Sequence, residues 1–298
     1  MRQLIITCAL IVFFFIGYTN AGTWTTLDKP ETNFTRIFDI DGSNLVGNYS
    51  DASGWHGFLY NTIAQSWTTI DKTESSDMYI CGIDGSNLVG IYADTSGNHG
   101  FLYNETSGWT TLDKPETSDT VIYGIDGINF VGRYIGIGDS IIHGFLYNDI
   151  TKNWTTLDKL GASNTEIYGI DGINFVGRYE NGSGWHGFFS DGTTWNTIDK
   201  PGASNIYVCD IDGSNLVGNY IDASGTHGFL YDTLAQSWTT LDYLGASGTE
   251  IWGIDDTTLV GRYWDASGGH GVIYTIPEPA TLLLLGLGAV ILRRKQRV

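Results

Sequence analysis

Residues 36–71, RIFDIDGSNLVGNYSDASGWHGFLYNTIAQSWTTID, contain four short segments rich in β-branched and aromatic residues. The segments are Arg36–Asp41, Asn44–Tyr49, His56–Tyr60 and Trp67–Asp71. The stretches between them have turn chemistry, as in Asp41-Gly42, with glycine available where the backbone needs a positive φ. No apolar pattern of helical period interrupts the segments. The stretch therefore predicts four short β-strands joined by turns.

The same arrangement occurs six times along the chain. The motif W-[TN]-T-[LI]-D recurs at intervals of 43, 42, 45, 41 and 43 residues, beginning at Trp24, Trp67, Trp109, Trp154, Trp195 and Trp238. Between the motifs lie segments related to I-x-x-I-D-G, N-[LF]-V-G-x-Y and H-G-F-L-Y. Four strands in about 43 residues is the size of one β-propeller blade. We therefore predict an all-β fold, a six-bladed β-propeller of four-stranded blades.

The order of the segments also predicts how the ring closes. The chain begins with an isolated W-T-T-L-D strand, Trp24–Asp28, and its last repeat ends on a third strand, Gly271–Tyr274. If W-T-T-L-D is the outer strand of each blade, the N-terminal strand completes the last blade and removes an exposed sheet edge. The alternative is an open β-solenoid, which needs atypical capping repeats. The terminal copies here are nearly standard, which favours closure.

The repeat resembles the HAF-type extracellular repeat. In that pattern an I-N/D-G turn precedes a V-G-x-Y strand, an HGF or HAF strand and a T-x-L-D strand, and the resemblance covers residues 24–275. It implies a secreted repeat protein of unassigned activity. It transfers no catalytic residue to this chain.

Both ends of the chain have the composition of targeting signals. Arg2 is followed by an apolar run from Leu4 to Ile16 and by a small residue at Ala21, as in a secretory signal peptide. The C-terminal stretch 276–298, IPEPATLLLLGLGAVILRRKQRV, is an apolar segment with a basic end. The predicted domains are a signal peptide at 1–21, the propeller at 22–275 and a sorting segment at 276–298.

The C-terminal stretch resembles the PEP-CTERM sorting signal, with a close match at Pro277, Glu278, Pro279, Ala280 and Thr281. The resemblance implies an exosortase-type enzyme as partner and export to the cell envelope or extracellular matrix. Its thirteen uncharged residues, 280–292, would span roughly 20 Å as a helix, less than the roughly 30 Å hydrocarbon core. We therefore predict a short transmembrane segment that holds the chain in the inner membrane transiently; an ordinary short membrane anchor is the alternative.

The predicted propeller is strongly acidic. Residues 22–276 carry 32 acidic and 10 basic side chains, so their net charge is −22 with histidine neutral. Such a surface repels phosphate backbones, which excludes nucleic acid as a partner. Cys81 and Cys209 occupy equivalent positions three repeats apart. In a closed six-fold ring they lie on opposite sides, beyond the roughly 7 Å that a disulfide spans. Both are predicted to be buried free thiols.

All the histidines share one position in the repeat, at the start of H-G-F: His56, His99, His143, His186, His227 and His270. A metal ring needs ligands about 2.0–2.1 Å from one ion, whereas the third strand lies away from the axis. We therefore predict a half-buried imidazole that bonds to a carbonyl or carboxylate between blades. The D-G and D-x-S-G turns lack a dense D-x-D-x-D-G loop, so they indicate weak Ca²⁺ binding at most, and no cofactor is predicted.

Ligand specificity is expected where near-identical repeats differ. The residue before the V-G-x-Y tyrosine and the residue before H-G-F both vary between copies. Arginine and tryptophan are common in recognition surfaces, and sugars stack on aromatic faces. The candidate ligand-binding residues are Trp55, Trp185, Trp264, Arg133, Arg178 and Arg262. Packing between blades is the alternative role for them.

No G-x-S-x-G motif, metal-ligand spacing or polar catalytic cysteine indicates an enzyme. The sequence predicts a non-enzymatic secreted protein of the cell envelope or matrix that binds exopolysaccharide or surface proteins. A polysaccharide hydrolase or lyase is the alternative, because paired acids from different blades can converge in a propeller. Ice or mineral adhesion through the repeated threonine pairs is a third hypothesis, although outer propeller strands do not form a flat array.

Overall fold

The computed structural model describes residues 22–73, 75 and 77–277. These residues form 24 β-strands, grouped into six four-stranded antiparallel blades around a central channel. Tight turns join the strands, and glycines with positive φ occupy them, as at Gly42 (φ 55°). The predicted six-bladed β-propeller is confirmed.

Each blade contains one repeat, with its strands following one another from the axis outward. The innermost strands are β2 (Phe34–Asp41), β6 (Asp77–Asp84), β10 (Thr117–Asp126), β14 (Asn164–Asp171), β18 (Asn205–Asp212) and β22 (Gly248–Asp255). The second strands are β3 (Asn44–Asp51), β7 (Asn87–Asp94), β11 (Asn129–Gly136), β15 (Asn174–Asn181), β19 (Asn215–Asp222) and β23 (Thr258–Asp265). The third strands are β4 (Gly54–Asn61), β8 (Gly97–Asn104), β12 (Ile142–Asn148), β16 (Gly184–Ser190), β20 (Gly225–Asp232) and β24 (Gly268–Thr275). The outer strands are β5 (Ser66–Ile70), β9 (Gly108–Thr111), β13 (Asn153–Thr156), β17 (Trp195–Ile198), β21 (Ser237–Leu241) and, for the sixth blade, β1 (Thr23–Thr26).

The strands of the first blade extend beyond the predicted segments. The innermost strand begins at Phe34, because Phe34 pairs with Ser50 at the far end of β3. Pairing between β3 and β4 continues to Asp51 opposite Gly54, directly at the turn. The outer strand is the exception, because it runs from Ser66 to Ile70 and so begins and ends one residue before the predicted segment.

The innermost strands form a closed circle in which each contacts its two neighbours. β2 contacts β6 on one side and β22 on the other, so the first and last blades are adjacent. Single parallel residue pairs link two blade boundaries, Phe34 with Gly269 and Asn98 with Asp119. The channel is therefore walled by one strand from every blade.

The N-terminal strand completes the last blade. β1 pairs antiparallel with β24, from Thr23 opposite Thr275 to Thr26 opposite Val272. The ring of Trp24 packs on Tyr274 with centroids 4.6 Å apart. The predicted closure by strand exchange between the termini is confirmed, and an open β-solenoid is excluded.

The hydrophobic core of the described residues is divided into six clusters, one at each boundary between adjacent blades. At the first boundary, Val46 of β3 packs with Met78 and Ile80 of β6, and none of the three is more than 1% exposed. A blade therefore buries its apolar face only against its neighbour. Because every boundary needs two blades, an open ring would leave one cluster without half of its partners.

A cyclic set of hydrogen bonds holds the blades together at the lower mouth, the channel end where the innermost strands stop. Oδ2 of Asp41 accepts a bond from the backbone N–H of Gly85 in the next blade, at 2.7 Å. The equivalent aspartates of the other blades make the same contact to a backbone N–H of the next blade: Asp84, Asp126, Asp171, Asp212 and Asp255. These aspartates therefore act in blade-to-blade contacts at the turns.

The predicted signal peptide and most of the predicted sorting segment lie outside the described residues. Within the part of the chain that the structure describes, no helix is long and apolar enough to cross a membrane.

Candidate functional site

A cavity of about 330 Å³ occupies the channel toward the upper mouth, the end where the innermost strands begin. We call it the channel cavity. All six innermost strands contribute to its wall, which includes the aromatic rings of Phe38, Tyr79, Tyr123, Tyr168, Tyr207 and Trp252. Strand residues alternate between two faces, so the neighbouring Ile37 and Ile80 are buried between blades instead. The inward positions vary among the repeats and give the channel cavity an asymmetric wall.

The three predicted arginines lie at the upper mouth, each on the second strand of its blade. Arg133 lines the channel cavity and forms an ion pair with Asp119 at 2.8 Å. Arg178 pairs with the buried carboxylate of Glu166, with Nε and Oε2 2.5 Å apart. Arg262 makes the same contact with Glu250, also at 2.5 Å. All three guanidinium groups thus already have a carboxylate from an innermost strand.

The predicted tryptophans are half-buried at the rim of the same mouth, where each packs on its neighbours. Trp55 packs edge-on against Phe34 at 5.1 Å and lies 5.9 Å from Tyr79. Trp185 stacks with the guanidinium of Arg178 at 4.0 Å. Trp264 lies 5.2 Å from the guanidinium of Arg262, which also faces Phe34 at 5.4 Å.

The structure therefore places these six candidates in two groups. Trp55 and Arg262 both contact Phe34 of the first blade, and Trp264 contacts Arg262. Arg133 and Arg178 share Glu166 at the boundary of the third and fourth blades, with Trp185 beside them. In a six-membered ring the first and fourth blades, which carry Phe34 and Glu166, face each other across the channel. The structure thus places the six residues around one mouth of the channel, and of the six only Arg133 lines the channel cavity.

Sequence reasoning missed Arg36, which lies on β2 and lines the channel cavity. Its guanidinium stacks on Phe38 at 4.1 Å. Burial and the nearby positive charge of Arg262 lower the pKa of Arg36 to about 10, against the opposing effect of the negative charge of Glu250. A signal was present in the repeats, because the equivalent residues are Tyr79, Val121, Glu166, Tyr207 and Glu250. Arg36 is the one cation at an inward position where the other copies are neutral or acidic.

Two acidic residues deeper in the channel also break the symmetry. Asp39 and Asp210 line the channel cavity, whereas the equivalent position is glycine in the other four repeats. Each carboxylate accepts two backbone N–H groups, as Asp39 does from Ile40 and Ile83 at 2.8 Å. Burial raises the pKa of Asp39 to about 7. Burial, followed by the charge of Asp39, raises the pKa of Asp210 well above its usual value.

Each histidine clasps the third strand of a blade to the outer strand of the same blade. Nδ1 of His56 lies 2.7 Å from Oδ2 of Asp71, which follows β5. The imidazole stacks on Tyr49 with centroids 5.0 Å apart. The same contact to an aspartate recurs at His99, His143, His186, His227 and His270. The predicted carboxylate partner is confirmed, but the predicted position between blades is wrong, because both side chains belong to one sheet.

The clasp contains serine, histidine and aspartate in contact, yet its geometry differs from a hydrolase triad. The hydroxyl of Ser53 lies 2.8 Å from Nε2 of His56 and donates to Oδ1 of Asp51 at 2.5 Å. Because the hydroxyl proton of Ser53 is donated to Asp51, it is not directed at His56, and His56 does not activate the serine as a general base. Ser96, Ser224 and Ser267 have the same two bonds, whereas Ser183 contacts its histidine but donates to Asn181 in place of an aspartate. The unit is a repeated turn-stabilising element.

The clasps and the buried acids predict that the propeller is most stable at mildly acidic pH. Partial burial lowers the pKa of His99 and His270, but their aspartate partners raise it more, above 6.5. The stability from these groups is present below pH 6.5 and is lost as the pH rises through the folded-state pKa. Asp39 has a higher pKa in the folded protein, so the propeller loses further stability as the pH rises from 3.8, the unfolded pKa, to about 7, the folded pKa. Asp94, whose pKa is lowered to about 2 by bonds from Ser96, adds stability above pH 3.8 that is lost below it.

The expected result is a melting temperature higher near pH 5 than near pH 8, measured by circular dichroism at constant ionic strength. Asp39→Gly and Asp210→Gly should each reduce that difference, because glycine occupies this position in the other repeats. A melting temperature that is higher at pH 8, or an unchanged difference in both variants, would contradict this assignment.

The two cysteines are free thiols, as predicted. Both line the channel cavity, and burial raises the pKa of Cys81 to about 12 and that of Cys209 well above its usual value. Cys209 is buried as predicted, whereas Cys81 is only half-buried. Both thiols are neutral at physiological pH. Among the described residues, no group of three or more His, Cys, Asp or Glu side chains is arranged to hold a metal ion.

Comparison with known proteins gives matches of two kinds. Residues 275–297 match the PEP-CTERM protein-sorting motif. No curated protein matches the chain. Among solved structures, TolB from Acinetobacter baumannii is similar in fold, with a TM-score of 0.55 and 10% identity, covering 81% of this chain and 63% of that one. Putative TolB from Agrobacterium tumefaciens has a TM-score of 0.56 and 14% identity, covering 82% of this chain and 90% of that one.

A third similar structure is the β-propeller domain of the Trilobed protease from Pyrococcus furiosus, with a TM-score of 0.51 and 8% identity, covering 83% of this chain and 95% of that one. At such identities the likeness concerns the fold alone. The PEP-CTERM motif marks an exosortase-processed protein that is exported to the cell envelope or extracellular space. Membership of the HAF-type repeats stays a prediction. The chain is therefore an exported six-bladed β-propeller that ends in a PEP-CTERM protein-sorting motif.

Proposed function

We propose that this exported propeller is a non-enzymatic module that binds extracellular polysaccharide at the channel cavity. The observation that supports it most is the ring of six aromatic side chains, one from each blade, around a volume of about 330 Å³. Small-ligand pockets are roughly 300–1,000 Å³, so this volume suits the end of a sugar chain. Aromatic faces provide apolar surfaces for sugar rings, and tyrosine hydroxyls can donate to and accept from sugar hydroxyls.

A surface protein is the other partner class predicted for this chain. The residues that differ most between repeats line a concave channel, and the rim tryptophans are half-buried against Phe34 and Arg178. A protein partner would instead need a broad exposed face with aromatic anchors. The concave arrangement therefore favours a saccharide over a protein.

The test is calorimetric binding of the purified propeller to a panel of neutral and acidic exopolysaccharide fragments. Trp252→Ala, which removes a ring from the wall of the channel cavity, is expected to weaken binding about tenfold or more. Trp154→Ala is the matched control, because Trp154 lies on the outer strand β13, packs on Phe145 and Tyr147, and is not part of the cavity wall. If no fragment binds at millimolar concentration, or if Trp252→Ala binds as tightly as the parent chain, this function is wrong.

A second candidate function is cleavage of the polysaccharide by hydrolysis or by a lyase reaction. It is tested by analysing the products after the propeller has been mixed with the same fragments. The observation that favours it is the pair Asp39 and Asp210 on the channel wall, since a carboxyl group with a raised pKa can act as a general acid. New reducing ends that disappear in Asp39→Gly and Asp210→Gly would support the enzyme and overturn the non-enzymatic proposal. Bound fragments that remain intact would support the binding module.

A further inference from the structure

Arg36 differs from the other arginines of the described residues in having no carboxylate partner. Arg133, Arg178 and Arg262 have carboxylate oxygens at 2.8, 2.5 and 2.5 Å. Within the described part of the chain, Arg36 has no such oxygen within 4.0 Å, and its buried Nε has no hydrogen-bond partner. A buried charge without a partner is costly, so a protein usually pairs it or uses it for a ligand.

The arrangement of the repeats explains why Arg36 is unpaired. In the fourth and sixth blades the innermost strand supplies Glu166 and Glu250, and the second strand supplies the arginine that each one binds. In the first blade the arginine is on the innermost strand instead, and the second strand has Asn48. The Asn48 amide donates to the carbonyl of Met78 at 2.6 Å, which is a contact between blades. No acidic residue of the first blade therefore replaces the missing partner.

The position of Arg36 directs its remaining donors into the channel cavity. One face of the guanidinium is covered by Phe38 at 4.1 Å, and Tyr79 lies 5.8 Å away. With a face stacked, the polar edge of a guanidinium presents parallel N–H donors that match a carboxylate. The outer surface is strongly acidic and repels polyanions, and Asp39 and Asp210 lie deeper in the same channel. These charges favour a ligand with a single negative group near Arg36 over a dianion.

We propose that Arg36 is the anion-recognition residue of the channel cavity, and that the cavity binds a sugar unit carrying a carboxylate, as in a uronic acid. The saccharide part of this inference rests on the proposed function. The carboxylate replaces the acidic partner that the other arginines have within the protein. The aromatic wall holds the sugar ring, and Arg36 selects its charge.

The experiment uses a neutral oligosaccharide that ends in one uronic acid, and its carboxyl-reduced neutral counterpart, titrated calorimetrically into the parent propeller, Arg36→Gln and Lys152→Gln. The parent is expected to bind the acidic oligosaccharide about tenfold or more tightly than the neutral one, and Arg36→Gln should lose that preference. Lys152→Gln is the matched charge control, because Lys152 is 65% exposed in the loop between β12 and β13 at the lower end. It should bind both oligosaccharides as the parent does.

Thermal unfolding of the same variants separates a ligand role from a structural one. Because the guanidinium of Arg36 has no hydrogen bond or ion pair within the described residues, Arg36→Gln is expected to unfold at the same temperature as the parent or higher. A marked decrease would assign Arg36 a packing role and overturn the inference. Arg36→Lys is a second test, because lysine keeps the positive charge but lacks the planar guanidinium. Its preference for the acidic over the neutral oligosaccharide should fall between those of the parent and Arg36→Gln.

The outcomes distinguish the two proposals. If neutral and acidic oligosaccharides bind equally, the binding function stands and the role of Arg36 is wrong. If acetate alone displaces the acidic oligosaccharide and the neutral one does not bind, Arg36 recognises an anion but the saccharide function is wrong. If neither oligosaccharide binds, both proposals are overturned.

Discussion

Replacing Gly132 with alanine is expected to lower the free energy of unfolding by about 3 kcal/mol or more, because its Cβ has no space. A Cβ at this position would lie 1.9 Å from the carbonyl oxygen of Val121 and 2.9 Å from the ring of Phe145. Val121 is on the neighbouring innermost strand, so no side-chain rotation relieves the backbone contact. The glycine follows from a β-bulge between Ile122 and Gly124, which brings the two backbones together.

Gly127→Ala is the matched control in the same blade. Gly127 has φ of 56° in the turn between β10 and β11, and a Cβ there would meet nothing within 4 Å. Its replacement should cost about 1 kcal/mol, the strain of a left-handed backbone with a side chain. Urea unfolding followed by tryptophan fluorescence measures both variants. If both variants unfold at the same urea concentration, the close approach of the backbones at Gly132 does not determine the free energy of unfolding, and the prediction is wrong.

Removing the N-terminal strand by starting the chain at Lys29 is expected to lower the melting temperature by about 10 °C or more. The deletion removes the four residue pairs between β1 and β24, the packing of Trp24 on Tyr274, and Asp28, which clasps His270 at 2.8 Å. It also leaves β24 as an open edge, which should make the chain associate with other copies. Circular dichroism and light scattering measure these two effects.

A synthetic peptide of residues 22–29 should restore the melting temperature of the shortened chain, because the strand is short and binds by backbone pairing. The control is the same peptide with Trp24→Ala and Asp28→Asn, which keeps the backbone but lacks the ring contact and the clasp. Full stability of the shortened chain without any peptide would contradict closure through β1.

The sequence predicted the architecture because the information is repeated. Four strand-like segments between turn residues, copied six times, define the blade and the number of blades. The isolated Trp24–Asp28 strand at one end and the missing outer strand at the other predicted the closure that β1 and β24 form. The ends of the strands were predicted less accurately. The pairing that extends β2 to Phe34 and β3 to Asp51 depends on the partner strand and not on local composition.

The site was predicted only in part. The six candidate tryptophans and arginines do lie at one mouth of the channel, yet the three arginines have carboxylate partners that the sequence did not assign. The predicted position of His56 between blades is wrong, because its partner Asp71 is fifteen positions away and comes near only through the pairing of β4 with β5. Arg36 escaped notice because a single cation at one inward position has no local pattern.

The sequence by itself determined the repeat, the all-β fold, the number of blades, the strand that closes the ring and the C-terminal sorting motif. Each of these depends on residues that are near in the chain or that recur at a regular interval. The tertiary structure alone decided which variable residues meet in the channel cavity, that Asp39 and Asp210 share it, and that Arg36 has no partner. These properties arise when six blades converge on one axis, because the distance between side chains from different blades follows from ring closure and not from their separation along the chain.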